Sequence, residues 1–238
     1  MRTGQGLLPV PRKAMVQTVV QTAENDLYRS GHTGGMDKLR ALILNCTLKP
    51  SPAESSAELL ATEIAAELAG HDVEAELVRV VDRDVRFGVG TDEGGGDEWP
   101  AIRERMLAAE ILVIATPIWM GQPSAVCKMV LERLDAELGE TDEQGRTLTL
   151  GKVAALAVVG NEDGAHHVTA EVYQALSDVG FTIPPNGVTY WVGEAMQGTD
   201  YKDKDPRPET TARTTRTLAA NATHLARLLK SSQYPPSS

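Results

Sequence analysis

Three short apolar runs constrain this chain more than anything else in it: LRALILN (Leu39–Asn45), ILVIAT (Ile111–Thr116) and KVAALAVV (Lys152–Val159). Each is strand-sized, too short to cross a membrane, and continuous rather than alternating. A strand of that kind must be buried on both faces, which happens in parallel sheets covered by helices on either side. The intervening segments have the matching helical period. Glu54–Ala69 places Ala57, Leu60, Ala61, Ile64, Ala65 and Leu68 on one face, and Gly70 is expected to stop it as a left-handed cap. Trp99–Ala109, with Pro100 in its first turn, is a second helix. Ala125–Leu138 behind Ser124 is a third, and Val168–Ser177 and Glu209–Lys230 complete the set. Asp72–Val80 and Phe181–Val192 are the remaining strands, the latter interrupted by Pro184-Pro185. Five strands alternating with five helices give an α/β fold, a doubly wound five-stranded parallel sheet joined by right-handed crossovers. The favoured strand order is 2-1-3-4-5, whose switch point lies between the first and third strands.

Ordered character is expected over residues 36–231. Residues 1–35 lack sustained periodicity and read as a disordered N-terminal extension; residues 232–238 (SQYPPSS) read as a disordered tail. The net charge of −10 lacks the basic face a nucleic-acid partner calls for. Cys46 and Cys127 are the two cysteines, with no metal-ligand spacing, so both are read as reduced thiols in a cytoplasmic protein, Cys127 as core. No membrane partner is expected. The run GVGTDEGGGDEW reads as a mobile acidic loop, and Tyr190-Trp191 with the following GEAMQGTDYKD as a strand end and surface loop that can wall a site.

In the 2-1-3-4-5 order the loops leaving strands one, three and four converge. They are Cys46–Ser56, Pro117–Ser124 and Gly160–His167. The first ends at a helix N-terminus, which favours an anion. Thr47, Ser51, Ser55 and Ser56 add hydroxyls and Lys49 adds a charge, a set suited to a phosphate monoester. The plain alternative is that Ser51 or Ser55 merely caps the helix while Lys49 is solvated. Neither G-x-x-x-x-G-K-[ST] nor G-x-G-x-x-G is present. The second loop, PIWMGQPS, carries Trp119 and Met120 and suits a flat aromatic ligand, with N–H groups near Gly121 meeting its polar edge. The alternative is Trp119 packing on a helix or subunit. In the third, GNEDGAHH, Gly160 and Gly164 permit close approach, while Asn161, Glu162 and Asp163 offer polar partners. His166 and His167 lack the companions of a metal set, so no metal is expected, and a proton-donor role for one of them stays open.

At these loops the sequence resembles the flavodoxin-like NAD(P)H-dependent oxidoreductases, the FMN and quinone reductases. NCTLKPSPAESS is similar to that family's G-S-x-R-x-x-[SN]-x-T phosphate signature, with Thr47 at its serine and Lys49 at its arginine. Cys46 replaces the usual glycine, and residues around Pro50 and Pro52 lengthen the loop. TPIWMGQPSA resembles T-P-[IE]-Y-x-x-x-[PM]-[ST]-[AG], with Trp119 at the tyrosine, and GNEDG resembles a segment that some branches carry. The resemblance, over roughly residues 39–192, implies a homodimer with bound FMN, and NAD(P)H as co-substrate. A hydride would pass through the flavin to a quinone, flavin or similar small-molecule acceptor. It implies that Thr47, Lys49, Ser55 and Ser56 hold the phosphate, while Pro117, Ile118, Trp119, Met120, Gly121, Asn161, Glu162, Asp163 and Gly164 frame the ring. No catalytic acid or base is required. A flavodoxin-type electron carrier and a flavin-free binding module are the alternatives.

Overall fold

The computed structural model describes residues 38–195 and 197–235. The extension expected at 1–35 and the last residues of the expected tail, 236–238, lie outside the described residues. In chain order the elements are β1 (Leu39–Asn45), α1 (Ser56–Ala69), β2 (Val73–Arg79), α2 (Trp99–Ala108), β3 (Ile111–Trp119) and β4 (Gln122–Pro123). They continue with α3 (Ala125–Leu134), β5 (Val153–Val159), α4 (Ala165–Asp178), β6 (Val188–Trp191) and α5 (Glu209–Ser231).

The main sheet is parallel, in the order β2-β1-β3-β5-β6. That is the expected 2-1-3-4-5 arrangement once the small β4 is counted separately. Its central strands feed two cores because successive side chains leave opposite faces. Leu42, Leu44, Leu112, Ile114, Leu156 and Val158 pack beneath α2, α3 and α4. Ile43, Ile111, Val113, Val153, Ala155 and Ala157 pack beneath α1 and α5. Continuous apolar runs are what such a two-sided strand requires.

The helices start where their caps dictate. Ser55 Oγ accepts from Glu58 N at 3.3 Å, and Ser124 Oγ accepts from Cys127 N at 3.1 Å. Helix α1 buries Ala57, Leu60, Ala61, Ile64 and Leu68, as its period demands.

Several local expectations are corrected. Gly70 is right-handed (φ −62°), and the positive φ falls two residues later, at Asp72 (60°). Strand β3 runs on to Trp119 and turns back through Met120 and Gly121 (φ 53° and 73°), pairing with β4 as Ile118↔Pro123 and Trp119↔Gln122. Two consecutive positive φ values are the geometry of a tight hairpin, so the expected loop is a two-residue turn. The last strand is confined to Val188–Trp191, and Thr182 makes only an isolated bridge to Val153, since the prolines between them cannot extend a ladder. The acidic segment before α2 is tied down: Asp97, its side chain fully buried, pairs with buried Arg133 at 2.8 Å. At the other end, Gln233 Nε2 donates to Leu229 O, and the Tyr234 and Thr182 hydroxyls lie 3.0 Å apart.

Candidate functional site

A cleft opens beyond the C-terminal ends of β1, β3, β5 and β6, the place where open parallel sheets bind ligands. It holds about 590 Å³ counted out through its open mouth, solvent space included. One wall is the β1–α1 connection, with Thr47, Leu48, Lys49, Ser55, Ser56 and Ala57. The next is the end of β3, Pro117, Ile118 and Trp119, and then the end of β5, Val159, Gly160 and Asn161. The fourth wall comes from Trp191 at the end of β6 and from Asp200 and Tyr201.

The hydroxyls on the first wall share one arrangement. Thr47 Oγ1 accepts from Lys49 N at 3.3 Å, Ser55 Oγ from Glu58 N at 3.3 Å, and Ser56 Oγ from Lys202 N at 3.2 Å. Each therefore has one of its two lone pairs engaged by a backbone N–H and keeps its own O–H to donate. They sit at the N-terminus of the 14-residue α1, whose first-turn N–H groups add positive potential. Lys49, with Nζ 3.4 Å from Glu54 O, adds the charge. The connection is held from below: Thr47 N donates to buried Asn45 Oδ1 (3.1 Å), and Arg79 Nη1 donates to Lys49 O (3.1 Å) and Ala53 O (3.0 Å). Arg79 also pairs with Glu58. Its role was not legible because β2 reaches this loop only through the sheet.

Ser51, one of the hydroxyls first grouped with the anion loop, is committed elsewhere. Its N and Oγ both donate to Asp82, at 2.8 and 2.5 Å, and the hydroxyl followed by the backbone bond lowers the Asp82 pKa.

Of the residues expected to frame a ring, Pro117, Ile118, Trp119 and Asn161 reach the cleft wall; Met120, Gly121, Glu162, Asp163 and Gly164 do not line it. The N–H groups of Met120 and Gly121, expected to meet a ligand's edge, are taken by Glu162 Oε1 (3.1 Å) and Oε2 (3.3 Å). Successive N–H groups in a left-handed turn form an anion-binding hollow, and Glu162 fills it. Gly164 (φ 135°) backs the hairpin, where an added Cβ would lie 2.8 Å from Gly121 Cα. Glu162 and Gly164 thus position the hairpin that presents Trp119. Asp163 lies beside His166, His167 and Tyr190 in a shallow second hollow. His166 packs edge-on against Tyr190 (5.4 Å between centroids), and His167 Nε2 lies 3.0 Å from Gln122 Oε1. Among the described residues no group of three or more His, Cys, Asp and Glu is placed to hold a metal.

Leu48, Ala57, Val159, Gly160, Trp191, Asp200 and Tyr201 line the cleft without having been singled out as cofactor-binding residues. Tyr201 is fully buried, its ring 5.6 Å from Trp191. Burial first, and then its bond to Glu63, raises its pKa, keeping it a neutral donor. The advance signal for the last three was the Tyr190-Trp191 strand end with the following GEAMQGTDYKD, which contains Asp200 and Tyr201 and reads as able to wall a site. The donor set and apolar floor fit a flavin phosphate: hydroxyls, one lysine and a helix N-terminus at one side, with Pro117, Ile118, Val159 and Trp191 beyond.

Comparison with known proteins agrees with this chemistry. Residues 39–197 match the family model described as NADPH-dependent FMN reductase. The chain is 37% identical over 207 residues to an 8-demethyl-8-aminoriboflavin-5'-phosphate synthase of Streptomyces davaonensis, covering 82% of this chain and 80% of that protein. It is 39% identical over 201 residues to a protein of Mycobacterium bovis named divalent metal cation transporter MntH; there the match is 82% of this chain but the chain spans only 29% of that protein's length. Among the described residues no helix is long and apolar enough to cross a membrane. The solved structure of RosB with a bound 8-demethyl-8-formylriboflavin-5'-phosphate intermediate is similar at 36% identity and a TM-score of 0.77, over 82% of both chains. Matched by the family model through the whole of its sheet, and by a relative of 37% identity over most of both lengths, the chain belongs to the NADPH-dependent FMN reductase family.

Proposed function

We propose that the protein holds FMN in this cleft and serves as an NAD(P)H-dependent oxidoreductase whose acceptor is a quinone, a free flavin or a similar small molecule. The observation that carries the reading is the first wall: three hydroxyls that each accept one backbone N–H and whose own O–H groups are given to no other group among the described residues, at a helix N-terminus beside Lys49. Thr47, Ser55, Ser56 and Lys49 hold the phosphate. Ile118, Trp119 and Trp191 offer apolar and aromatic surface to the rest of the ligand, and the Glu162-locked hairpin keeps Trp119 at the mouth. A bound flavin supplies the two-electron chemistry, and the protein's part is to orient it and exclude water.

A second reading has a specific observation behind it. The relative of 37% identity is named a synthase of an aminoriboflavin phosphate, so the same cleft can present a flavin phosphate as substrate rather than resident cofactor. Anaerobic mixing of the FMN-loaded protein with NADH or NADPH, followed by an acceptor panel and mass measurement of the flavin, separates the two. Bleaching of the flavin and its recovery at unchanged mass support the oxidoreductase. An unbleached flavin overturns it, and a flavin whose mass changes with turnover decides in favour of flavin modification. Failure of the apo protein to take up FMN removes both.

A further inference from the structure

Among the cleft's lining residues two carry formal charge, Lys49 and Asp200. A carboxylate in a cleft shaped for a phosphate is unfavourable unless it meets a hydrogen-bond donor on the ligand. Asp200 Oδ1 accepts from Asn161 Nδ2 at 3.3 Å, while Oδ2 has no donor among the described residues. Among the described residues no salt bridge reaches it either: neighbouring Lys202 sends its ammonium to Asp203 (2.7 Å) and Glu54 (3.6 Å) and acts on Asp200 only at longer range. The carboxylate is nonetheless held firmly. Lys202 N bonds Ser56 Oγ, joining this segment to the phosphate wall. Tyr201 Oη donates to Glu63 Oε2 (2.5 Å), and Arg207 Nε donates to Glu63 Oε1 (2.9 Å) with its guanidinium 5.5 Å from the Tyr201 ring. The strap 200–207 thus presents a rigid acceptor, which spares a ligand the cost of ordering it. It also lies beyond residues 39–197, the stretch that the family model matches.

We propose that Asp200 is a specificity-determining residue that accepts a hydrogen bond from a hydroxyl on the polyol chain between the ligand's phosphate and its ring. This rests on the flavin-phosphate reading of the cleft. The site is then bipolar. The first wall selects the phosphate, and the strap selects a neutral, hydroxyl-bearing stretch next to it.

The test is equilibrium titration of apo wild type, D200A and D200N with FMN, with inorganic phosphate as competitor and thermal melting to confirm the fold. A lost bond to a charged acceptor predicts FMN binding weaker by about tenfold in D200A, less in D200N, with competition by phosphate unchanged. Equal or tighter FMN binding by D200A overturns the proposal, because Asp200 would then be idle or simply repel the phosphate. A parallel loss for FMN and phosphate also overturns it, by showing damage to the phosphate wall. If the wild type takes up no FMN, the flavin reading itself fails, an outcome distinct from wild-type uptake that Asp200 does not affect.

Discussion

Lys49 is an exposed side chain whose Nζ, among the described residues, hydrogen-bonds a backbone carbonyl, Glu54 O at 3.4 Å, and no side chain. Replacing it should leave the fold intact and weaken FMN. A hydrogen bond to a charged group contributes about 1.5–3 kcal/mol, so Lys49→Ala should lose about tenfold or somewhat more in affinity, read by titrating the apo proteins. Equal affinities would remove Lys49 from the site. The two cysteines behave oppositely. Both are fully buried, and the Cys46 pKa is raised by its hydrogen bond to Cys127 and then by burial. Neither should react with a thiol reagent at pH 8 until denaturant is added, when two thiols per chain appear. Fast labelling of the native protein would contradict this packing. At this scale Ser55 was legible as a candidate cap, although the helix expected from Glu54 begins only at Ser56. The role of Ser51 was not legible, because its partner Asp82 lies 31 residues away.

Among the elements, the join between the acidic segment, α2 and α3 rests on a buried ion pair. Burial pushes the Asp97 carboxyl up, but N–H donation from Glu93, Arg86 and Trp99 and the Arg133 guanidinium hold it down at about 2. A depressed carboxyl pKa adds stability that is fully present above the unfolded value, 3.8, and is lost as pH falls towards 2. Asp97→Ala leaves Arg133 buried and unpaired, which costs about 3–5 kcal/mol at pH 7. Urea unfolding at pH 7 and pH 3 checks both points, since the wild type should lose part of this increment at the lower pH and the variant has none to lose. The pair was hidden in the sequence because the run GVGTDEGGGDEW reads as solvated from its composition alone. The β3–β4 hairpin was hidden for another reason. Its turn carries methionine at a positive φ, and Glu162, 41 residues from Gly121, supplies the carboxylate that stabilises it.

For the whole molecule, ligand binding and folding are linked. FMN at about 100 times its Kd should stabilise the native state by about 2.7 kcal/mol. In a domain of this size that corresponds to a rise in Tm of about 5–10 °C, measurable by calorimetry with and without FMN. No shift at saturating FMN would mean that the cleft does not take it. By itself the sequence determined the layered sheet and its order, because strand runs and helical periods are local patterns and few topologies accommodate their alternation. It also determined which loops meet, since the sheet order places the ends of β1, β3 and β5 side by side. Tertiary structure alone decided which side chains in those loops face the cleft. The left-handed turn at Met120–Gly121 hands its N–H groups to Glu162, and the strap at 200–207 supplies a fourth wall. Those outcomes depend on contacts such as Lys202 with Ser56, 146 residues apart. Local periodicity carries no information at that range, and only the folded chain brings such partners together.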